Sequence, residues 1–176
     1  MAIDRQKTET VHWHAVFTAS RAEKKVRDRL EELGVECFLP VQTVLRQWTY
    51  RKSRVVVPVI AGLVFVRVGR QEQVKVLQTK GVVAFLRLKG EAGAAVIPDK
   101  QMEDFRFLLD FSEEAVEMTN ENIKAGDLVR VVKGSLRGME GELIRHKGVT
   151  KVLVRIDMLG CAMVSIPASF VEKLNK

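Results

Sequence analysis

The stretch from Gly126 to Leu143 sets the tightest limit on what this chain can become. Residues 128–132 are apolar and β-branched, residues 133–138 are rich in turn formers, and residues 139–144 resume an apolar–polar alternation. That pattern predicts a strand, a loop and a second strand. Glycines such as Gly134 and Gly138 suit the loop because they reach positive φ without a Cβ clash. The segments that follow, 151–156, 162–166 and a closing piece around 170–174, are also short and β-prone. Roughly 50 residues of short strands fit a small β-barrel.

The first part of the chain carries helices as well. Residues 11–18 are aromatic and β-prone, which predicts a strand. Ser20 followed by Glu23 has the spacing of a capping box, and Ala22, Val26, Leu30 and Leu33 then recur at helical spacing up to Gly34. Extended pieces are expected at 35–40, 41–50, 55–58 and 62–68. A helix over 71–80 with Val74 and Leu77 inward, a strand at 82–88 and a helix over 99–111 with Met102, Phe105 and Leu109 inward complete it. The order reads β-α-β-β-β-α-β-α, an α+β sandwich of helices on a mainly antiparallel sheet. Residues 112–122, with Glu113, Glu114, Glu117 and Glu121, read as an acidic linker. The expected division is a flexible tail at 1–10, a first domain at 11–111, a linker at 112–123 and a second domain at 124–176.

Composition narrows the function. No apolar run approaches the roughly 20 residues that span a bilayer, and the polar start carries no export signal, so a cytoplasmic protein away from membranes is expected. Cys37 and Cys161 stand far apart with no histidine at ligand spacing, which argues against structural zinc and disulfides; Cys37 reads as a small buried apolar residue rather than a nucleophile. His12 and His14 share a strand face, a weak metal signal against an ordinary strand position. The three histidines lack a catalytic partner at recognisable spacing, and Gly134, Gly138 and Gly141 precede no helix, so they form no phosphate loop. No enzyme, metal or cofactor is expected. The net charge of +7 favours a polyanionic partner.

The segment 126–143 resembles the KOW motif of SH3-like barrels. Trp13-His14-Ala15-Val16, Glu23-Lys24-Lys25-Val26, Phe38-Leu39-Pro40, the run Ile60 to Val66, the run Gly81 to Leu86, and Phe170-Val171-Glu172-Lys173-Leu174 resemble, in order, the motifs of the NusG family. In that family an NGN domain, an antiparallel sheet with helices, precedes a KOW barrel. Arg46-Gln47-Trp48-Thr49-Tyr50-Arg51-Lys52 and Pro98-Asp99-Lys100-Gln101-Met102 look like the UpxY group, specialised paralogues of capsular polysaccharide operons in Bacteroides-type bacteria. The resemblance implies a transcription elongation factor that binds RNA polymerase and suppresses pausing and termination, as an operon-specific antiterminator. The alternatives are a housekeeping factor acting with Rho and a ribosome-associated KOW protein that binds RNA.

The resemblance also implies sites. Phe17, Leu63, Phe65 and Leu88 line up with the family's apolar surface for the β′ clamp helices of RNA polymerase, from which the domain reaches the facing β lobe. Leu63 and Phe65 are two apart on one strand and share a face; core packing is the rival reading for both. Arg46, Trp48, Tyr50, Arg51, Lys52 and Arg54 form a basic-aromatic segment suited to phosphates and unpaired bases of upstream or non-template DNA. Arg21 and Lys24 are secondary candidates, and a solvated charged face is the rival. Ile156 and Leu159 lie at the family's loop for a small-subunit ribosomal protein or Rho, with barrel-edge packing as the rival.

Overall fold

The computed structural model describes residues 9–175. The expected tail, except Glu9 and Thr10, and the expectation of no export signal therefore lie outside the described residues. Glu9 is anchored: its Oε1 accepts the Gln71 backbone N–H at 2.9 Å. In chain order the elements are β1 (His12–Thr18), α1 (Glu23–Glu32), β2 (Glu36–Phe38), β3 (Val41–Trp48), β4 (Arg51–Pro58), β5 (Leu63–Val68), α2 (Arg70–Leu77), β6 (Val82–Phe85) and α3 (Asp99–Phe111). Then come β7 (Glu117–Thr119), β8 (Asp127–Val131), β9 (Glu140–His146), β10 (Val149–Ile156), β11 (Gly160–Ser165), a 3-10 turn (Ala168–Phe170) and β12 (Val171–Lys173). One more strand stands between the first two helices than the expected order allows, because 41–50 and 55–58 form two strands of a hairpin. The described chain divides into two compact units: one runs up to Leu39 and resumes at Gly62–Val96, the other holds Pro40–Ala61 and everything from Ile97 on.

The first unit is an antiparallel sheet in the order β2-β5-β1-β6. Its centre is the β1–β5 pairing, in which Phe17 faces Leu63, Ala15 faces Phe65 and His14 faces Val66. Side chains alternate across a strand, so Trp13, Ala15, Phe17, Leu63 and Phe65 share one face. His14, Val16, Val64 and Val66 take the other. The helices lie on that second face: the Cys37 thiol, paired in register with Val66, points to the Arg27 carbonyl of α1 at 3.7 Å, and Gln73 of α2 approaches the His14 ring. Val26 and Leu30 of α1 and Val76 of α2 are buried.

Four local expectations are corrected. The Ser20 capping box does not form. Arg21 adopts φ +57°, Ala22 becomes the N-cap, and Glu23, buried, turns its carboxylate to the Gly62 N–H at 2.7 Å. Leu33, at the C-cap, is exposed rather than inward. On α2, Val74 and Leu77 face solvent and Val76 is the buried residue, because contact through Gln73 and Val76 fixes a face rotated from the 74/77 pair. On α3 the inward set is Met102, Phe105 and Leu108, with Leu109 half-buried.

The second unit holds the β3–β4 hairpin, α3 and a six-stranded antiparallel sheet in the order β12-β8-β9-β10-β11-β7. The strand–loop–strand expected over 128–144 is present as β8 and β9, with Gly134 and Gly138 at φ +81° and +94° in the loop. The barrel is corrected: β12 and β7 are the two edges and do not pair, so the sheet stays open. The acidic linker is corrected in part. Glu117–Thr119 leaves it to pair with β11, and Glu117 accepts a 2.6 Å ion pair from Lys151, whose side chain is buried. Gly160 permits that edge: at φ +102°, a Cβ there would stand 2.1 Å from the Thr119 carbonyl oxygen. The hairpin is tied in by Gln42, whose amide donates to the Val116 carbonyl at 3.1 Å and accepts the Val116 N–H at 3.0 Å.

Across the sheet, Arg155 grips Glu142 with two hydrogen bonds of 2.6 and 2.9 Å and also donates to the Ile123 carbonyl at 3.1 Å. The Gly126 N–H adds a third donor to Glu142 at 3.0 Å. The Arg155 bonds chiefly, opposed in part by burial, hold the Glu142 carboxyl below its usual range. A depressed carboxylate stabilises the fold fully above its unfolded value of about 4.3 and loses that contribution as pH falls through the folded value. Glu142→Gln should therefore lower stability at pH 7 by about 1–3 kcal/mol and flatten its fall on acidification below pH ~4. Urea denaturation at a series of pH values measures both.

Candidate functional site

Two surfaces emerge. The first is the β3–β4 hairpin. Trp48 pairs with Arg51, Gln47 with Lys52, Arg46 with Ser53 and Leu45 with Arg54, and only Thr49 and Tyr50 close the loop. The alternation sorts the side chains. Arg46, Trp48, Arg51 and Ser53 lie on one face; Leu45, Lys52, Arg54 and Val56 lie on the other. Tyr50 stands at the tip, 98% exposed. The Trp48 indole remains 54% exposed although its N–H donates to Ser53 Oγ at 3.0 Å. Arg46, Arg51, Lys52 and Arg54 are exposed and form no ion pair with a described residue. The sequence supplies none nearby, since no Asp or Glu occurs between Glu36 and Glu72. The sequence segment is thus one hairpin with two unlike faces. Leu45, 69% exposed, and Val56, 48% exposed, had not been singled out; the period-2 alternation is the signal that would have found them. Arg21 and Lys24 are exposed at the start of α1 in the other unit, so the structure assigns them to a different body from the hairpin.

The second surface is the apolar face of the first sheet. Phe17 is 42% exposed, whereas Leu63 and Phe65 are 2% and 0% exposed, and Phe65 stacks on Phe38 at a centroid distance of 6.2 Å. Leu88 is 43% exposed and lies past the end of β6, in the segment whose Leu86 N–H bonds to the Ala15 carbonyl. The four candidates therefore split into two buried and two accessible side chains. In the second unit Ile156 is buried at the end of β10 and Leu159 is half-buried in the following turn. That turn is pinned by α3, because Gln101 Oε1 accepts the Asp157 N–H at 2.8 Å.

His14 and Cys37 are engaged within the fold. His14 is buried, its Nδ1 bonds the Ala95 carbonyl at 2.8 Å and its Nε2 meets the Gln73 amide nitrogen at 3.5 Å. The carbonyl requires a proton on Nδ1, so Nε2 is the acceptor. Burial, more than any other influence, lowers the pKa of His14 and keeps the ring neutral. Burial pushes the Cys37 thiol up to about 11, which removes thiolate at neutral pH. Among the described residues no group of three or more His, Cys, Asp or Glu side chains could hold a metal ion, and no helix is long and apolar enough to cross a membrane.

The model of the NusG family, described as transcription termination factor nusG, matches residues 11–106. The chain belongs to the NusG family. A solved structure on domain interaction in Thermotoga maritima NusG is 23% identical, with a TM-score of 0.50, over 94% of this chain and 98% of its own. At that identity the likeness concerns the fold. Two conformations of the MjSpt4:Spt5 complex are each 17% identical over 93% of this chain and 97% and 99% of theirs, with TM-scores of 0.31 and 0.29. No curated protein sequence matches. NusG-family proteins are non-enzymatic transcription factors. The family match ends at Arg106 within α3, so the six-stranded sheet lies beyond it.

The two kinds of apolar candidate should separate in denaturation experiments. Phe65→Ala should cost about 3–5 kcal/mol, as for a filled core position. Phe17→Ala should cost about 1 kcal/mol or less.

Proposed function

We propose that this NusG-family chain binds RNA polymerase and suppresses pausing and termination. The observation that carries the reading is Phe17, a large aromatic side chain left 42% exposed on an apolar sheet face within the region that matches the family. A pair of helices resting on such a face is a common mode of recognition. Phe17 and Leu88 are the outward members of the proposed contact with the β′ clamp helices, and Leu63 and Phe65 are the side chains that underlie it. Reaching from the clamp to the facing β lobe would hold the cleft closed over the DNA. Binding that state better than the open one shifts the population toward elongation.

The functional division we propose is an NGN domain at 11–111 and a KOW module at 124–176, joined through 112–123. Recruitment of a ribosomal small-subunit protein or Rho through the turn that carries Leu159 belongs to this proposal. A tethered module raises its partner's effective concentration near the polymerase. The finer reading, an operon-specific antiterminator of capsular polysaccharide genes, is supported by the runs Arg46 to Lys52 and Pro98 to Met102.

Capture of purified core RNA polymerase tests the central reading. The wild type should retain polymerase, and Phe17→Asp and Leu88→Asp should each weaken retention by about tenfold or more. Failure of the wild type to retain polymerase contradicts it. Genome-wide occupancy tests the finer reading: a few operons are expected, and even occupancy across most genes refutes operon specificity.

A further inference from the structure

One face of the six-stranded sheet is covered by a strap of its own chain, residues 117–126. The register puts Lys151, Leu153 and Arg155 of β10 on that face together with Cys161 and Met163 of β11. Leu153, Cys161 and Met163 are buried, with Ile123 of the strap and Ile144 packed against them. The strap itself is thin, and none of its residues is buried. Polar groups of the face hold it. Lys151 pairs with Glu117 at 2.6 Å, Arg155 donates to the Ile123 carbonyl at 3.1 Å, and the Gly126 N–H donates to Glu142 at 3.0 Å. Glycine lets each end lie close. A Cβ on Gly160 would stand 2.1 Å from the Thr119 carbonyl oxygen, and one on Gly126 would stand 2.1 Å from that of Leu143. Two of the three polar fastenings therefore go to backbone groups, and Glu117 and Ile123 carry most of the strap's identity. An extended chain with a carboxylate six residues before an aliphatic side chain presents the same groups.

We propose that this face and the β11 edge form a docking site for an extended acidic–aliphatic segment of a partner protein. The segment displaces the strap, adds a strand to β11 and seats its aliphatic side chain where Ile123 lies. Strand addition gives affinity through the main chain and leaves specificity to alternate side chains. Baring Leu153 and Met163 to water is unfavourable, so the strap leaves only when a segment of like chemistry replaces it. Charge selects the occupant. The Lys151 side chain, 6% exposed, needs a carboxylate opposite its ammonium. A chain of net charge +7 attracts an acidic segment and repels a second copy of itself. The site lies in the other unit from Phe17, and the inference does not depend on polymerase binding.

Titration of a synthetic peptide of residues 117–126 into the isotopically labelled full chain, followed by NMR, tests the proposal. The chain's own strap competes with the peptide. Ile123→Asp, which unseats the strap, should therefore lower the peptide concentration that shifts the Cys161 and Met163 amide signals by about tenfold. Ile123→Ala should do so by a smaller factor and serves if the aspartate variant does not fold. Lys151→Met added to either variant should weaken binding by about threefold or more. A peptide carrying Glu117→Gln should bind equally with and without that change. Saturation at one peptide concentration in the wild type and both Ile123 variants would overturn the proposal. So would the absence of any shift at Cys161 and Met163, or a Lys151→Met effect that persists with the glutamine peptide. A wild-type dimer in sedimentation at the same protein concentration would give the site to a second copy and overturn it as well.

Discussion

The pairing of β1 with β5 is the constraint on which the first unit depends. Six residue pairs, from His12 with Val68 to Phe17 with Leu63, set one register. A slip of one residue would turn every side chain to the opposite face. In the observed register His14, Val16, Val64 and Val66 meet the helices, while Phe17, Leu63 and Phe65 gather on the other face. The position of β1 between β5 and β6, and of β5 between β2 and β1, makes both strands interior to the sheet. Local adjustments serve that register. Arg21 takes a left-handed conformation so that the chain can leave β1 and start α1, and Glu23 then fixes Gly62 just ahead of β5.

In the second unit, polar groups do comparable work. Gln42 substitutes for a missing strand by satisfying both backbone groups of Val116. Arg155 and Glu142 join β10 to β9 and draw in Ile123 and Gly126. A buried lysine stem at Lys151 reaches Glu117 and helps hold the short edge strand. Side chains at such positions leave an unsatisfied partner when removed, which is why they weigh more than their number suggests.

Long apolar periods were legible in the sequence, and features set by distant contacts were not. Val26 and Leu30 marked the buried stripe of α1, and the β-branched runs marked β5, β8 and β10. The Ser20–Glu23 spacing misled because the Glu23 carboxylate found a partner at Gly62, far along the chain. Val74, Val76 and Leu77 offered two helical faces, and contact with the sheet chose between them. The edge strand at Glu117–Thr119 owes its place to Gly160 and Lys151, neither of which local pattern connects to it. Strand count suggested a barrel, but closure requires the first and last strands to pair, and β12 and β7 do not. For the candidate surfaces, residue types in the hairpin were evident, whereas their division between two faces required the register. The contrast between exposed Phe17 and buried Phe65 required the structure as well.

The central claim is that a NusG-family chain presents the Phe17 sheet face to polymerase. Hydrogen exchange of the full chain with and without core RNA polymerase tests it most directly. Binding should slow exchange in β1 near Phe17, in β6, and in the segment around Leu88, while the exposed flank of α2 at Val74 and Leu77 exchanges as before. Unchanged exchange around Phe17 and Leu88 in a complex known to have formed, or protection confined to the six-stranded sheet, would contradict the account.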